Sequence, residues 1–217
     1  MERSDSSCRD LVWEILNFLP TNEKIADSVV GLARSGSRAD SHAWSKLLDP
    51  SQSSHQSVYI LQVIDSFLNP AKEILSTIAS GDPSGAFLDQ MLKDAALFRH
   101  GFIESGGFGA VLQLFTISGS EAEEGQNGKE MSGAFALRII KRCFLGDENV
   151  SAGIGADSVA GVLDDLGRNL LGTLSHPGQL LLSLTSMVRA GRRMADIAIL
   201  DVIQMLRLVL LSDKGMT

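Results

Sequence analysis

The spacing of the apolar side chains narrows the fold of this 217-residue chain more than any other feature. Apolar residues recur every three or four positions, as at Leu11, Ile15 and Leu19. They almost nowhere alternate with the period of two that marks a half-buried strand. The pattern therefore predicts an all-α protein with about nine or ten helices, mostly short and joined by short turns.

Proline and glycine indicate where these helices end. Pro20 is expected to end a first helix over about 8–19, because the residue before a proline disfavours the helical conformation. Thr21 is then expected to cap a second helix that runs to a break at Gly36. Later helices are expected to end at Asp49-Pro50 and at Asn69-Pro70, and to span about 87–102, 131–145, 156–174, 178–190 and 192–211. The helix before Asn69 is expected to bury either Ile64 or Asp65.

The most polar stretch of the chain lies at 118–129, where Glu121, Glu123 and Glu124 stand among glycine, serine and asparagine residues. Such a composition is typical of a solvated loop. The sequence therefore predicts a single helical domain over 1–217 with an acidic loop inserted near 118–129.

Composition excludes several classes of partner. The net charge is −7, whereas nucleic-acid binding depends on clustered Lys and Arg, so no nucleic-acid partner is expected. No stretch reaches the ~18 uninterrupted apolar residues of a membrane span, and the polar N-terminus has no secretory leader pattern. Two cysteines without a paired spacing favour a reducing compartment. We expect a cytoplasmic protein, with the nucleus as an alternative.

Cysteine catalysis requires a thiolate and a nearby histidine. Cys143 lies within a predicted helix and is expected to be a buried structural thiol. Cys8 stands at a helix start, which favours ionisation, but a chain terminus holds a nucleophile poorly. The histidines show no metal-ligand spacing; they are His42, His55, His100 and His176. The sequence predicts no catalytic residue, no cofactor and no metal.

The glycine cluster Gly106-Gly107-Phe108-Gly109 is similar to a phosphate-binding loop only in composition. A dinucleotide loop follows a strand and needs a third glycine, whereas here a helix precedes the cluster and Leu112 occupies the third position. We interpret the cluster as a tight turn between two helices.

Charged groups elsewhere are interpreted mainly as solvated surface. The paired carboxylates are Asp164-Asp165, Glu123-Glu124 and Asp147-Glu148. A basic group at Arg189, Arg192 and Arg193 surrounds Gly191, and Arg189 suits the negative end of a helix dipole. Peptide binding by this basic group is the alternative.

Helices of this length build either a closed bundle or an α-solenoid. The phrase from Phe102 to Phe115 resembles an armadillo unit, in which one helix ends at glycine and the next presents an apolar face. We therefore expect a right-handed α-solenoid of the armadillo or HEAT type. A clean period near 40 is missing, so the repeats are degenerate.

Four phrases look like those of one family, in the same order. They are Leu11 to Asn22 (LVWEILNFLPTN), Trp44 to Leu48 (WSKLL), Val58 to Leu68 (VYILQVIDSFL) and Phe102 to Phe108 (FIESGGF). They resemble phrases in the long helical regions of the large ubiquitin-specific proteases of the fat-facets type. The resemblance covers about 11–115 and implies an armadillo-like array upstream of a papain-like domain that cleaves ubiquitin.

The catalytic residues of that family do not carry over to this chain. Its cysteine box has Gly and Asn ahead of the Cys, whereas Cys143 follows Ile-Ile-Lys-Arg and Cys8 precedes Arg9-Asp10. The histidine box is missing too, and the one tyrosine, Tyr59, lies in a predicted helix.

The resemblance therefore implies a non-catalytic scaffold in the deubiquitination pathway, whose partners are ubiquitinated substrates or regulatory proteins. A stand-alone armadillo-type adaptor unrelated to ubiquitin is the alternative, and an unrecognised enzyme is a third. An apolar helix at 197–211, cut from a longer array, is expected to make the isolated chain self-associate.

Overall fold

A computed structural model of the chain describes residues 22–36, 42–49, 54–69, 85–120, 127–145, 164–172 and 180. These ranges contain seven helices and no strand, which confirms the all-α prediction for this part of the chain. The helices are α1 (Glu23–Ser35), α2 (Ala43–Leu47), α3 (Ser54–Leu68), α4 (Gly85–Glu104), α5 (Gly107–Ser120), α6 (Asn127–Leu145) and α7 (Asp165–Gly172). The helices predicted at 8–19 and 192–211 lie outside the described residues, as does all of 178–190 except Leu180.

Helix α1 begins one residue later than the sequence predicts. Its cap is Asn22, whose side-chain oxygen accepts a hydrogen bond from Lys24 N at 3.1 Å, so the prediction of Thr21 was wrong. The backbone N–H of Asn22 also donates to the Tyr59 hydroxyl at 2.6 Å, which joins the start of α1 to α3. The helix ends at Gly36, which has a φ of 53°, as the sequence predicts.

A two-residue turn, Ser105-Gly106, joins α4 to α5, and the rest of the glycine cluster begins α5. Gly106 has a φ of 86°, a conformation that glycine adopts without steric cost. A Cβ atom on Gly107 would lie 2.3 Å from the Phe102 ring, so α5 can start against α4 only with glycine there. The predicted helix-to-helix turn is confirmed.

The described helices pair in register, which means that each of the first three packs on the helix that comes three places later in the described order. Helix α1 packs on α4, α2 on α5, and α3 on α6, while neighbours such as α4 and α5 or α5 and α6 also contact each other. At the first crossing, a Cβ atom on Gly101 would lie 2.3 Å from the Ala33 carbonyl oxygen. The backbones of α1 and α4 are therefore in direct contact.

Helix α6 lies at the centre of the described helices, because α3, α5 and α7 all pack against it. None of its described side chains, at 132–145, is exposed. A second part of the core is aromatic and joins α2, α3 and α4: Trp44 meets the edge of Phe102, Phe102 stacks on Phe98, and Phe98 contacts Phe67, at centroid separations of 5.0, 6.0 and 5.1 Å.

The loop predicted at 118–129 is helical at both of its ends. Helix α5 continues to Ser120 and α6 already begins at Asn127, so both ends of that segment are helical, and 121–126 lie outside the described residues. Each residue added to an existing helix contributes one more hydrogen bond. A helix can therefore continue into polar residues beyond its last buried apolar position.

Candidate functional site

Cys143 lies on α6 and its side chain is fully buried. Burial disfavours the thiolate and raises the pKa of this thiol from 9.0 to about 12, against the opposing charges of Arg99 and Arg142. A protonated thiol is a poor nucleophile at neutral pH. The prediction of a buried structural thiol is confirmed.

The histidines that the structure describes lie on the surface. His42 precedes α2 and is exposed. His100 on α4 is also exposed, with its Nδ1 3.4 Å from Glu104 Oε2. Neither imidazole is placed to take a proton from the buried Cys143. The side chain of His55 lies outside the described residues, as do Cys8 and His176.

A cluster of charges, which we name the Arg99 junction, joins three helices. Arg99 on α4 is buried, and its Nε donates to the Cys143 carbonyl oxygen near the end of α6 at 3.1 Å. Its Nη2 donates to Asp164 Oδ1 at 3.0 Å, and its Nη1 donates to Asp164 Oδ2. Asp164 Oδ1 also accepts from the backbone N–H of Gly167 at 2.7 Å, which caps α7.

The pKa of Asp164 is lowered within this junction. Partial burial of the carboxyl acts to raise the pKa, but the Arg99 hydrogen bonds, the Gly167 N–H and the charges of Arg99 and Arg168 outweigh it. The prediction that Asp164 is solvated surface was right only in part: its side chain is 40% exposed, but its carboxylate is also a helix cap and an arginine partner. Its neighbour Asp165 is exposed and pairs with Arg168, as surface carboxylates do.

A second charged cluster joins α3 to α6. Asp65 is 6% exposed, and its Oδ2 accepts from Arg138 Nη1 at 3.1 Å. Arg142 Nε lies 3.1 Å from Asp65 Oδ1. The two arginines are one helical turn apart on α6, so one carboxylate contacts both. The sequence predicts that either Ile64 or Asp65 is buried, and the structure buries both.

Sequence reasoning did not single out Arg99 or the two arginines of α6. A signal was available for Arg99, since a helical wheel places it on the same face as Ala95 and Phe102, and both are buried. A charged residue on an apolar face indicates a buried partner. No spacing rule names that partner, because Asp164 is 65 positions away.

The remaining candidates are structural or lie elsewhere. The turn at Gly106 carries Ser105, whose Oγ accepts from Trp44 Nε1 at 2.9 Å, so this turn anchors α2. Among the residues that the structure describes, no group of His, Cys, Asp and Glu side chains is arranged to hold a metal ion. In the same ranges, no helix combines the length and the apolarity needed to cross a membrane. The candidates outside the described residues are Glu123-Glu124, Asp147-Glu148, Arg189, Arg192 and Arg193.

Comparisons with protein-family models, with curated proteins and with solved structures found no match to this chain. The two charged clusters described above, around Arg99 and around Asp65, join helices through buried charges. Each described cluster uses its polar atoms to hold one helix on another.

Proposed function

We propose that this chain is a non-catalytic helical-repeat scaffold that holds protein partners. The observation that carries the proposal is the in-register pairing of α1 with α4, α2 with α5 and α3 with α6. In a solenoid each repeat contacts its neighbour, so equivalent helices of successive repeats pair in this way. The pairing supports two stacked units, each containing three of the described helices, within a right-handed armadillo- or HEAT-like solenoid of nine or ten helices.

The proposed place of this scaffold is a ubiquitin-specific protease of the fat-facets type, in the cytoplasm or the nucleus. The support is the ordered set of four phrases, three of which supply core residues: Trp44, Ile64 and Phe102 are buried in α2, α3 and α4. Ubiquitinated substrates or regulatory proteins are the proposed partners. Packed helices of any origin need similar residues, so the order of the phrases is the specific part of this argument.

Sequencing the transcript beyond the codon for Thr217 tests the place of the scaffold. A cysteine box with Gly and Asn ahead of the Cys, followed by a histidine box, is the expected result. A stop codon directly after Thr217 would favour a stand-alone adaptor unrelated to ubiquitin.

The non-catalytic assignment is tested with ubiquitin that carries a thiol-reactive group at its C-terminus. We expect no adduct with the purified chain, because the Cys143 thiol is buried and protonated. An active cysteine-type deubiquitinase treated in parallel serves as the positive control. Mass spectrometry that finds ubiquitin on Cys143 or Cys8 would contradict the assignment.

A further inference from the structure

Helix α7 has eight described residues, and its packed side contains the buried Gly167 and Leu170. Isolated helices shorter than about 12–15 residues are marginal in water. The helical conformation of α7 therefore depends on its contact with α6.

One carboxylate serves both the folding of α7 and its docking. Asp164 accepts from Gly167 N, which starts the helix, and from Arg99, which ties that start to α4 and to the end of α6. The side chain of Asp164 is 40% exposed while that of Arg99 is 10% exposed, so water already reaches one edge of the ion pair. Water can replace Asp164 there, and Arg99 keeps its bond to the Cys143 carbonyl.

The packed face of α7 has a second requirement at Gly167. A Cβ atom at this position would lie 1.9 Å from the Phe144 carbonyl oxygen, so the docked helix accepts only glycine. An alanine favours the helical conformation itself, because glycine is a poor helix former. Docking and helix formation therefore make opposite demands on residue 167.

We propose that α7 is a latch: it docks on α4 and α6 through the Arg99 junction and is released as a unit while α1 to α6 stay folded. Its release uncovers the Arg99 guanidinium and the end of α6. Local opening of a short packed element is a common form of conformational change in proteins. The latch is independent of the proposed scaffold function.

Hydrogen–deuterium exchange of the full chain tests the latch. Four chains are compared: the wild type, Asp164→Asn, Gly167→Ala and Asp165→Asn. Asparagine at 164 keeps a capping oxygen but removes the charge that Arg99 binds. Alanine at 167 blocks docking while it strengthens the free helix. Asp165→Asn is the matched control, because the pair that this exposed carboxylate makes in the described part of the chain is with Arg168 of the same helix.

The latch predicts exchange in α7 that is faster by about tenfold or more in Asp164→Asn and in Gly167→Ala, with α6 changed less than about twofold. The control is expected to match the wild type. Unchanged α7 exchange in both variants would overturn the proposal. Equal acceleration in α6 and α7 would also overturn it, since α7 would then be an inseparable part of the core.

Discussion

The two polar groups of Cys143 meet different environments. Its backbone carbonyl belongs to the last turn of α6, where carbonyl oxygens lack a helical partner, and the Arg99 guanidinium supplies the missing donor. Its thiol is enclosed by the core and stays protonated. The residue therefore acts as a small apolar side chain whose carbonyl is held by a buried charge.

Ionisation of Cys143 is expected to destabilise the fold at alkaline pH. The folded protein keeps this proton up to a pKa of about 12, whereas the unfolded chain loses it near 9.0. The stabilising contribution is complete below pH 9.0 and is lost as the pH rises toward 12. Between these values the unfolding free energy of the wild type should fall more steeply than that of Cys143→Ala, by about 1.4 kcal/mol per pH unit. Urea unfolding at a series of pH values measures both slopes, and equal slopes would contradict the prediction.

Pairs of helices are held by close backbone approach in one place and by buried charge in another. Helices α1 and α4 touch at Ala33 and Gly101, where no side chain intervenes. Helices α3 and α6 instead meet across an apolar surface that contains Asp65 and its two arginines. Buried ion pairs give less net stability than their geometry suggests, but they penalise any register that separates the charges.

The α1–α4 crossing predicts opposite effects for two glycine substitutions. Gly101→Ala places a Cβ atom 2.3 Å from the Ala33 carbonyl oxygen and should destabilise the protein by about 1–3 kcal/mol. Gly31→Ala, on the open side of α1, has no neighbour within 4 Å and should stabilise it by up to about 1 kcal/mol through helix propensity. Chemical denaturation measures both values. A Gly101→Ala protein as stable as the wild type would show that the helices do not cross at this point.

The α3–α6 pair predicts a large effect of removing one charge. Asp65→Ala leaves Arg138 and Arg142 without their carboxylate, and the loss should be about 3–5 kcal/mol. The matched control is Asp27→Ala on α1, an exposed carboxylate whose loss should change stability by less than about 0.5 kcal/mol. Similar effects of the two substitutions would mean that Asp65 is not buried against α6.

At the largest scale that the structure describes, helices far apart in sequence pair with one another. The ion pair between Asp65 and Arg138 spans 73 positions, and the hydrogen bond between Trp44 and Ser105 spans 61. Contacts of this kind define how the described helices before residue 70 lie on those after residue 84. The solenoid that we propose would present a surface that extends over several repeats, which suits the binding of long protein segments.

Self-association is the prediction that concerns the whole chain. The sequence predicts an apolar helix at 197–211, and exposed apolar surface favours association between copies of a chain. Sedimentation velocity over a wide concentration range should therefore show the weight-average mass rising with concentration. A single monomeric species at every concentration would contradict this prediction.

Local physics explains why the helical class and several boundaries were predictable. The 3.6-residue period shows which face of a helix is apolar, and glycine at 36 and at 106 supplies the positive φ that ends a helix. The burial of Cys143 follows from its position within such a stripe. None of these inferences requires knowledge of any other segment.

Which helices contact each other could not be predicted in this way, because the apolar face of one helix does not specify which other helix covers it. The pairing of α1 with α4 depends on the absence of a side chain at Gly101, and the lowered pKa of Asp164 depends on Arg99, 65 positions away. These contacts exist only once the chain has brought distant surfaces together. Composition and periodicity therefore determined that the chain is helical, and long-range packing alone decided which charges are buried, which helices touch and where α7 is held.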